Sequence, residues 1–423
     1  MNAIKTYEVK PGIRLHHIPA EQFKTVSVGI HFHRQLTKSE AASNALLTDV
    51  MQRGSSKLKD MAAINRYMQA LYGAYFDADI RRKGEDQILS FVISTVEDTF
   101  LPDGDTCVLK AVATLLDMVL CPQVADNAFR ADYVKQEKVN LINDIEAIMN
   151  DKRSYALWRL IENMCTGDAY SVYELGDVES VEKITPKSLF EQYNTVLHHS
   201  PIDIFVTGNT DIDAILDMMN KRFVNVTPDV LEYPKATLYK SADTYREVEE
   251  KYDITQAKLS MGFYTGIAPC DPRYSALMVF NSIFGSGAHS KLFNNVREKL
   301  SLAYYAASRL ERYKGMMLVS SGIEFKNKQK AEDEILAQLS AMKVGDISDY
   351  EFDVSVKSII NSLRSLQDSA AYLSDYYLGQ IVSGTSISLE EQCDLISKVT
   401  KNDVVSVAQE IKPEMVYVMR GDN

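Results

Sequence analysis

The sequence predicts an α+β protein made of two homologous repeats, each a mostly antiparallel sheet with helices packed on one face. Alternating apolar and polar residues in KTVSVGIHFH, DQILSFVIST and PIDIFVTG predict half-buried strands. Helical spacing of apolar residues in DMAAINRYMQALYG and VLKAVATLLDMVLCP predicts amphipathic helices. Strand pairs alternate with helix pairs, and the whole order occurs twice along the chain, which indicates a duplication.

Composition limits the classes of protein that the chain can represent. With 423 residues, 46% of them hydrophobic and 25% charged, we expect a globular protein with more than one domain. Its 58 acidic and 46 basic residues give a net charge of −12, which disfavours nucleic acid and anionic membranes as partners. No run resembles a secretory signal or a membrane span, so we expect a cytoplasmic protein. The cysteines are widely spaced and form no CxxC pair, which favours free thiols.

The duplication can be followed at two offsets. VSVGIHF, which begins at Val26, resembles LSMGFYT, which begins at Leu259, and Gly29 falls opposite Gly262 at an offset of 233 residues. LYGAYFDADIRRKG resembles LAYYAASRLERYKG at an offset of 231 residues. In this second match Leu71, Arg81, Lys83 and Gly84 are identical to Leu302, Arg312, Lys314 and Gly315.

The two halves also end alike. TPKSLFEQYNTVLHHSPIDIFVTGNTD parallels TKNDVVSVAQEIKPEMVYVMRGD, and each predicts a helix, a turn and a strand. Between the halves, FVNVTPDVLEYPKATLYKSADTYREVEEKY carries two prolines and a charge-rich end, which is typical of a linker. We therefore expect an N-terminal domain over residues 1–234 and a C-terminal domain over residues 235–423.

The stretch SNALLTDVMQRGSS predicts one helix with chemistry on one face. Thr37 and Glu40 form a capping-box pattern before it, and Gly54 ends it. Ala45 and Asp49 are four residues apart and share a helical face with Thr48, which is the geometry by which a helix offers zinc two ligands and a base. Here that face offers a methyl group, a hydroxyl and one carboxylate.

This helix resembles the active-site helix of the M16 family of zinc peptidases, which includes insulinase, pitrilysin and the mitochondrial processing peptidase. Active members carry HxxEH, in which two histidines bind zinc and the glutamate is the general base, before a GT or GS turn. Aligning that turn with Gly54 and Ser55 places the motif on Ala45, Thr48 and Asp49, so all three catalytic residues are missing. The resemblance implies the LuxS/M16 peptidase-like fold, with the two repeats arranged as a clamshell, and it implies that the zinc cofactor is lost.

The resemblance also implies where the third zinc ligand, a glutamate on a later helix, would lie. The matching segment is EKVNLINDIEAIMNDK, and counting back from Asp151 places the ligand at Asn143, with Gln136 two turns earlier. An amide is a poor replacement for a carboxylate at a zinc site. The distance from Asp49 to Asn143 exceeds the usual family spacing, which implies an insertion near LPDGDTC.

The second half resembles a different part of the family pattern. FGSGAHSKLFNNVREKLSLAYYAASR is similar to the C-terminal signature of a glycine-bearing turn, a helix, and an arginine and a tyrosine seven residues apart. Arg297 and Tyr304 match that pair. In active members the pair faces the zinc across a chamber, where it can hold the peptide carbonyl and stabilise an oxyanion.

Isolated polar residues have plainer interpretations. Asp49 alone makes no metal site and is expected to be a solvated or hydrogen-bonded helix residue. His31 and His33 alternate along a strand and share one face, a spacing found in metal sites, but two residues without a third ligand favour a strand that faces a solvated cavity. Arg297 and Tyr304, taken without the resemblance, would be an ordinary surface cation and a sheet residue.

The sequence as a whole favours a catalytically inactive M16 homologue that acts as the non-catalytic, peptide-binding subunit of a heterodimeric zinc peptidase. Its partner would be an active homologue, and Arg297 and Tyr304 would act in the partner's site. One alternative is a homodimeric peptide-binding or chaperone-like module without a protease partner. Another is a peptidase with a repositioned metal site.

Overall fold

The computed structural model describes residues 4–421 apart from 103, 227, 230, 231, 234, 235 and 243. The chain divides into two compact units. The first comprises Met1–Glu146, Val172–Lys235 and Ser369–Leu378, and the second comprises Ala147–Ser171, Ala236–Asp368 and Gly379–Asn423. The predicted boundary between residues 234 and 235 lies outside the described residues and stays a prediction.

The first unit is built on a sheet with the strand order β1-β2-β8-β3-β5-β4. Neighbouring strands are antiparallel except β2 and β8, which are parallel. A separate short hairpin joins β6 to β7. The strands are β1 (Lys5–Lys10), β2 (Ile13–Ile18), β3 (Thr25–Gln35), β4 (Tyr75–Lys83), β5 (Asp86–Val96), β6 (Val124–Ala125), β7 (Ala128–Phe129) and β8 (Ile202–Thr207).

The second sheet repeats this plan in the order β9-β13-β10-β12-β11. The pairing of β13 with β9 is parallel, like that of β8 with β2, and the other pairings are antiparallel. The predicted fold class, an α+β duplication with mostly antiparallel sheets, is confirmed. The strands are β9 (Arg246–Lys251), β10 (Ala257–Tyr264), β11 (Ala303–Glu311), β12 (Met316–Ile323) and β13 (Lys412–Arg420).

The helices follow the strands in the same order in both halves of the chain. No helix in the described part of the chain is long and apolar enough to cross a membrane. A π-helix, Leu292–Lys299, occupies the place in the second half that α2 has in the first. The α-helices are α1 (Ala41–Gln52), α2 (Met61–Ala70), α3 (Val108–Leu120), α4 (Ala131–Ala147), α5 (Lys152–Met164), α6 (Val178–Lys183), α7 (Pro186–His198), α8 (Ile212–Arg222), α9 (Tyr274–Phe284), α10 (Lys328–Lys343), α11 (Asp349–Ser365), α12 (Ala370–Ser383), α13 (Leu389–Ser397) and α14 (Lys401–Glu410).

Matching turns explain the glycines that recur at the offset of 231 residues. Gly84 lies between β4 and β5 with φ of 64°, and Gly315 lies between β11 and β12 with φ of 61°. This left-handed conformation is open to glycine without the steric cost that a Cβ brings. The identity of the two glycines therefore reflects a left-handed residue in the corresponding hairpin loop of each repeat.

Each sheet is completed by a segment from the other half of the chain. In the first unit, the hydroxyl of Ser374 forms a hydrogen bond with that of Thr207. Thr207 follows the core residue Val206, and because side chains alternate along a strand, Thr207 lies on the opposite face of the sheet. In the second unit, α5 packs on the sheet through Leu160 and Met164, and Gly262 leaves room for the sulfur of Met164. In the second unit the helices are thus not confined to one face of the sheet, because α5 packs on the other. In the first unit the exchanged segment contacts that face through Ser374 and Asp375.

A buried lysine ties each exchanged segment to its sheet. Lys83 is 7% exposed, and its Nζ lies 2.8 Å from Oδ1 of Asp375. Lys314 is fully buried, and its Nζ lies 2.7 Å from Oδ2 of Asp168. Each lysine directly precedes its hairpin glycine in the sequence. The lysine recurs in both repeats because it makes the same kind of ion pair in each. Each buried ammonium needs a carboxylate, and in both units the exchanged segment supplies it.

The Lys314 ion pair gives a test of this arrangement. Lys314→Met is expected to lower the free energy of unfolding by about 2 kcal/mol, because Asp168 loses its cationic partner. Urea unfolding of the full chain measures the change, and the Asp168→Asn double-mutant cycle isolates the coupling. Lys326→Met is the matched control, since that lysine is 78% exposed and pairs with Glu324 on the surface. Equal effects at the two positions would contradict the structural role of Lys314.

Candidate functional site

Helix α1 carries the positions where the sequence analysis expected a degenerate zinc site. It begins at Ala41 without a side-chain cap, so the predicted capping box is wrong. Glu40 instead accepts hydrogen bonds from Arg34, whose Nη2 lies 2.7 Å from Oε2. The charged guanidinium is the stronger partner for this carboxylate and takes it away from the helix end.

The first two positions of the lost motif can neither bind a metal ion nor act as a base. Ala45 is 1% exposed and belongs to the hydrophobic core of the first unit. Thr48 is also 1% exposed, and its hydroxyl donates to the carbonyl oxygen of Asn44 at 3.0 Å. A methyl group has no lone pair to offer, and the hydroxyl is already committed within its own helix.

Asp49, the third position, lies partly buried among other carboxylates. Burial raises its pKa to about 7, and the negative charges of Glu137, Asp144 and Asp79 add to the rise. Such an environment favours the neutral acid because a charge would be poorly solvated and repelled. Near neutral pH this carboxyl is therefore partly protonated, which opposes metal binding.

The residues of α4 that act on α1 lie one position after those expected from the sequence. Asn143 is exposed, whereas Glu137 is buried and accepts a hydrogen bond from Arg53 at 2.8 Å. Gln136 is exposed, and its Oε1 accepts a hydrogen bond from Nη2 of Arg53 at 2.9 Å. The sequence analysis missed both Glu137, which is buried on the same helix face as Val134 and Leu141, and Asp144, which lies two turns later and is exposed.

These side chains do not fit a catalytic zinc ion. Zinc in such sites needs about three nitrogen, sulfur or oxygen ligands besides its water. In the described part of the chain, no group of three or more His, Cys, Asp and Glu residues could hold a metal ion. All seven histidines lie outside α1 and α4, at positions 16, 17, 31, 33, 198, 199 and 289.

A second polar cluster lies within the first sheet. His31 and His33 share a face, as the alternation predicted, but this face is buried and not solvated, with exposures of 6% and 1%. His31 Nδ1 lies 2.8 Å from the hydroxyl of Ser90. Burial lowers the pKa of His31 to about 3, and the neighbouring charge of His33 adds to the effect.

His33 lies between two buried carboxylates on neighbouring strands. Its Nδ1 is 2.5 Å from Oδ2 of Asp86, and its Nε2 is 3.0 Å from Oδ2 of Asp203. Burial alone would lower the pKa of His33, but the charges of Asp86 and Asp203 outweigh it and raise the pKa to about 10. The imidazolium therefore bridges β3 to β5 and β8 as a buried cation between the carboxyl groups of Asp86 and Asp203. Burial raises the pKa of the Asp86 carboxyl, and the charge of His33 opposes that rise.

Asp203 is the centre of this cluster. Besides His33, it accepts from His16 Nε2 at 2.7 Å and from the hydroxyl of Tyr233 at 2.9 Å. Burial would raise the pKa of this carboxyl, but hydrogen bonds from His16 and His33 hold the pKa well below its ordinary value. With its oxygens engaged by these donors, the cluster serves to hold strands together.

Arg297 and Tyr304 lie in the second unit with their side chains exposed. Arg297 belongs to the π-helix, is 43% exposed, and stacks over the ring of Phe293 at 4.7 Å. Tyr304 is 59% exposed and stands where the register of β11 against β12 shifts, between Ala303 and Tyr305. A β-bulge such as the one at Tyr304 turns a side chain out of the regular alternation along the strand. π-helical turns such as the one that carries Arg297 are often found at functional sites.

Comparison with known proteins found similar chains of one family. The family model described as Peptidase M16 inactive domain matches residues 183–359. The probable inactive metalloprotease YmfF of Bacillus subtilis is 35% identical over 412 residues, which cover 97% of this chain and 96% of that protein. The uncharacterized zinc protease YmxG of the same organism is 24% identical over 301 residues, which cover 70% of this chain and 72% of that protein.

A similar fold is also found among solved structures. The crystal structure of a conserved protein from Enterococcus faecalis matches with a TM-score of 0.92 at 28% sequence identity. The match covers 100% of this chain and 99% of that chain. The similarity therefore extends over both repeats.

The charged state of His33 makes a testable contribution to stability. Its pKa in the folded protein, about 10, exceeds the unfolded value of 6.5, so the stabilisation is full below about pH 6.5 and is lost as the pH rises through 10. His33→Gln cannot carry this charge. We expect the stability difference between the parent chain and His33→Gln to shrink from pH 6 to pH 10 in urea unfolding.

The matched control for this measurement is His199→Gln, because His199 is 48% exposed and pairs with Asp229 on the surface. Its effect on stability should be small at every pH. A gap between the parent chain and His33→Gln that stays constant up to pH 10 would contradict a buried imidazolium at position 33.

Proposed function

The chain belongs to the peptidase M16 family, and on that premise we propose that it is the non-catalytic, peptide-binding subunit of a heterodimeric zinc peptidase. The active subunit is a homologue with an intact HxxEH helix. The complex acts in the cytoplasm. The proposal gives this chain a role in holding substrate, while the partner supplies the metal and the activated water.

The observation that carries the proposal is an asymmetry between the two units. At the lost motif, Ala45 and Thr48 are both 1% exposed and offer no ligand. At the C-terminal signature, Arg297 and Tyr304 keep donor groups on the surface. A chain that had lost all peptidase function would have no use for the second pair, whereas a subunit that assists a partner's zinc site needs only that pair.

The edge of the first sheet supports the peptide-binding part of the proposal. β4 is the terminal strand on one side of this sheet and lies next to α1, where Gln52 donates a hydrogen bond to Asp77 at 3.0 Å. The outer edge of such a strand presents N–H and C=O groups that can pair with an extended peptide. Strand addition at β4 would place a peptide beside the position of the lost motif.

The comparisons support pairing with an active homologue. Bacillus subtilis has a relative whose name calls it a probable inactive metalloprotease and another whose name calls it a zinc protease. A genome that carries both kinds offers a catalytic partner to a chain that lacks its own site. The proposal requires that the organism of the present chain likewise carries an active homologue.

Co-expression with an HxxEH homologue from the same genome tests the proposal. We expect the two chains to co-purify, and we expect Arg297→Ala to lower kcat of the complex roughly 10-fold to 100-fold, because an oxyanion donor acts mainly in the transition state. Tyr304→Phe, which removes only the hydroxyl, should lower kcat in the same direction. Peptide hydrolysis by the purified complex measures both effects.

Lys299→Ala is the matched control, because Lys299 is an exposed cation in the last turn of the same π-helix. Its kcat should equal that of the parent complex. Failure to co-purify, together with unchanged hydrolysis for Arg297→Ala, would overturn the proposal. A stable homodimer that captures peptide without the homologue would favour the chaperone-like alternative, and hydrolysis by this chain alone with stoichiometric zinc would favour a repositioned metal site.

A further inference from the structure

The duplication gives the lost motif a counterpart in the second unit. At the offset that relates Gly29 to Gly262, Ala45, Thr48 and Asp49 correspond to Met278, Asn281 and Ser282 on α9. The helices α4 and α11 both have 17 residues, so that, aligned from their first residues, Glu137 corresponds to Ser355 and Asp144 to Ser362. The carboxylates around α1 are thus hydroxyl groups around α9.

A cavity of about 370 Å³ lies at this counterpart position. Its volume is within the range of about 300–1,000 Å³ that is typical of small-ligand sites, and it suits about one or two amino-acid residues. Five apolar side chains form much of its wall. These apolar lining residues are Met278, Leu310, Ile359, Leu363 and Leu366.

The polar part of the wall is rich in donors. Hydroxyl groups of serine and the amide of Asn281 line the cavity together with Arg309, and no carboxylate is among the described lining residues. The Arg309 side chain is 55% exposed at the cavity, and its Nε lies 2.9 Å from Oε1 of Glu311. A ligand that has an apolar side chain and an anionic group able to accept hydrogen bonds fits a cavity with apolar walls, hydroxyl groups and a guanidinium.

Two of the lining residues, Asn281 and Ser282, take part in buried hydrogen bonds. His289 Nε2 lies 2.8 Å from the hydroxyl of Ser355 and 3.3 Å from that of Ser282. Ser355 is fully buried, and Ser282 is 4% exposed. Asn281 is fixed by Ser308, whose hydroxyl donates to its Oδ1 at 2.7 Å. These contacts hold α9, α11 and β11 in place and keep the cavity preformed.

From this geometry we infer that the cavity between α9, α11 and β11 binds the carboxyl-terminal end of a short peptide with an apolar last side chain. Arg309 and the serine hydroxyls receive the carboxylate, and Met278, Leu310 and Leu363 receive the side chain. The inference rests on the proposed function in that it names a site for peptide on the same chain. A second depression, which shares Ser358 and Ser362 with the cavity, gives the rest of the peptide a way out along α11.

Titration of the full chain, without any partner, with N-acetyl-Ala-Leu and with its carboxyl-terminal amide tests the inference by calorimetry. The acid should bind about tenfold more tightly than the amide, because the amide lacks the charge that Arg309 recognises. Arg309→Gln should remove this preference for the acid. Arg364→Gln, at an exposed position of α11 outside the cavity lining, should keep it.

Ser358→Trp fills the cavity from its rim and should weaken binding of the acid at least about tenfold. Asp353→Trp is the matched control, since Asp353 is an exposed residue of the same helix and lines neither depression.

Equal binding of acid and amide would overturn the assignment of the carboxylate. Binding that Ser358→Trp leaves unchanged, or no binding of either probe, would overturn the site. Because the homologue is absent from this experiment, the pairing of subunits can fail while this site stands, and the reverse also holds.

Discussion

Each sheet in this protein has two faces to bury, and the segment that covers the second face comes from the other half of the chain. Residues 147–171 belong to the second unit and residues 369–378 to the first. The buried ion pairs of Lys83 with Asp375 and of Lys314 with Asp168 mark the two places where this exchange is fixed. Because a buried ammonium without a carboxylate is costly, neither half of the chain can complete its own sheet alone. The exchange therefore makes each unit depend on residues from both halves of the chain.

Much of the fold could be predicted from the sequence because its signals are local. Alternation identified β3, β5 and β8, and the glycines of the two hairpins recur because the same left-handed turn is made twice. The exchange could not be predicted, since local pattern does not say which sheet a helix such as α5 will cover. The capping box before α1 failed for a related reason: Arg34, on a neighbouring strand, takes Glu40 from the helix end. Tertiary partners decided both outcomes.

The side chains that surround Asp49 in the structure differ from those that the sequence led us to expect. Ala45, Thr48 and Asp49 were matched to the lost motif through the resemblance of their helix to the M16 active-site helix. On α4, the charges that act on Asp49 are those of Glu137 and Asp144, whereas the count along the sequence had given Gln136 and Asn143. A count from a distant turn carries an uncertainty of one residue, and on a helix one residue is a rotation of about 100°. The corresponding place in the second unit, beside α9, has changed in a different way since the duplication. Where the first unit keeps an acidic surrounding, the second has a hydroxyl-lined cavity with one guanidinium.

The first unit does not offer the set of ligands that a catalytic zinc ion needs. Equilibrium dialysis of the purified chain against zinc at neutral pH, followed by metal analysis, tests whether it binds the ion. We expect zinc well below one equivalent per chain and no difference between the parent chain and Asp49→Asn. One tightly held zinc ion per chain, lost on Asp49→Asn, would contradict it.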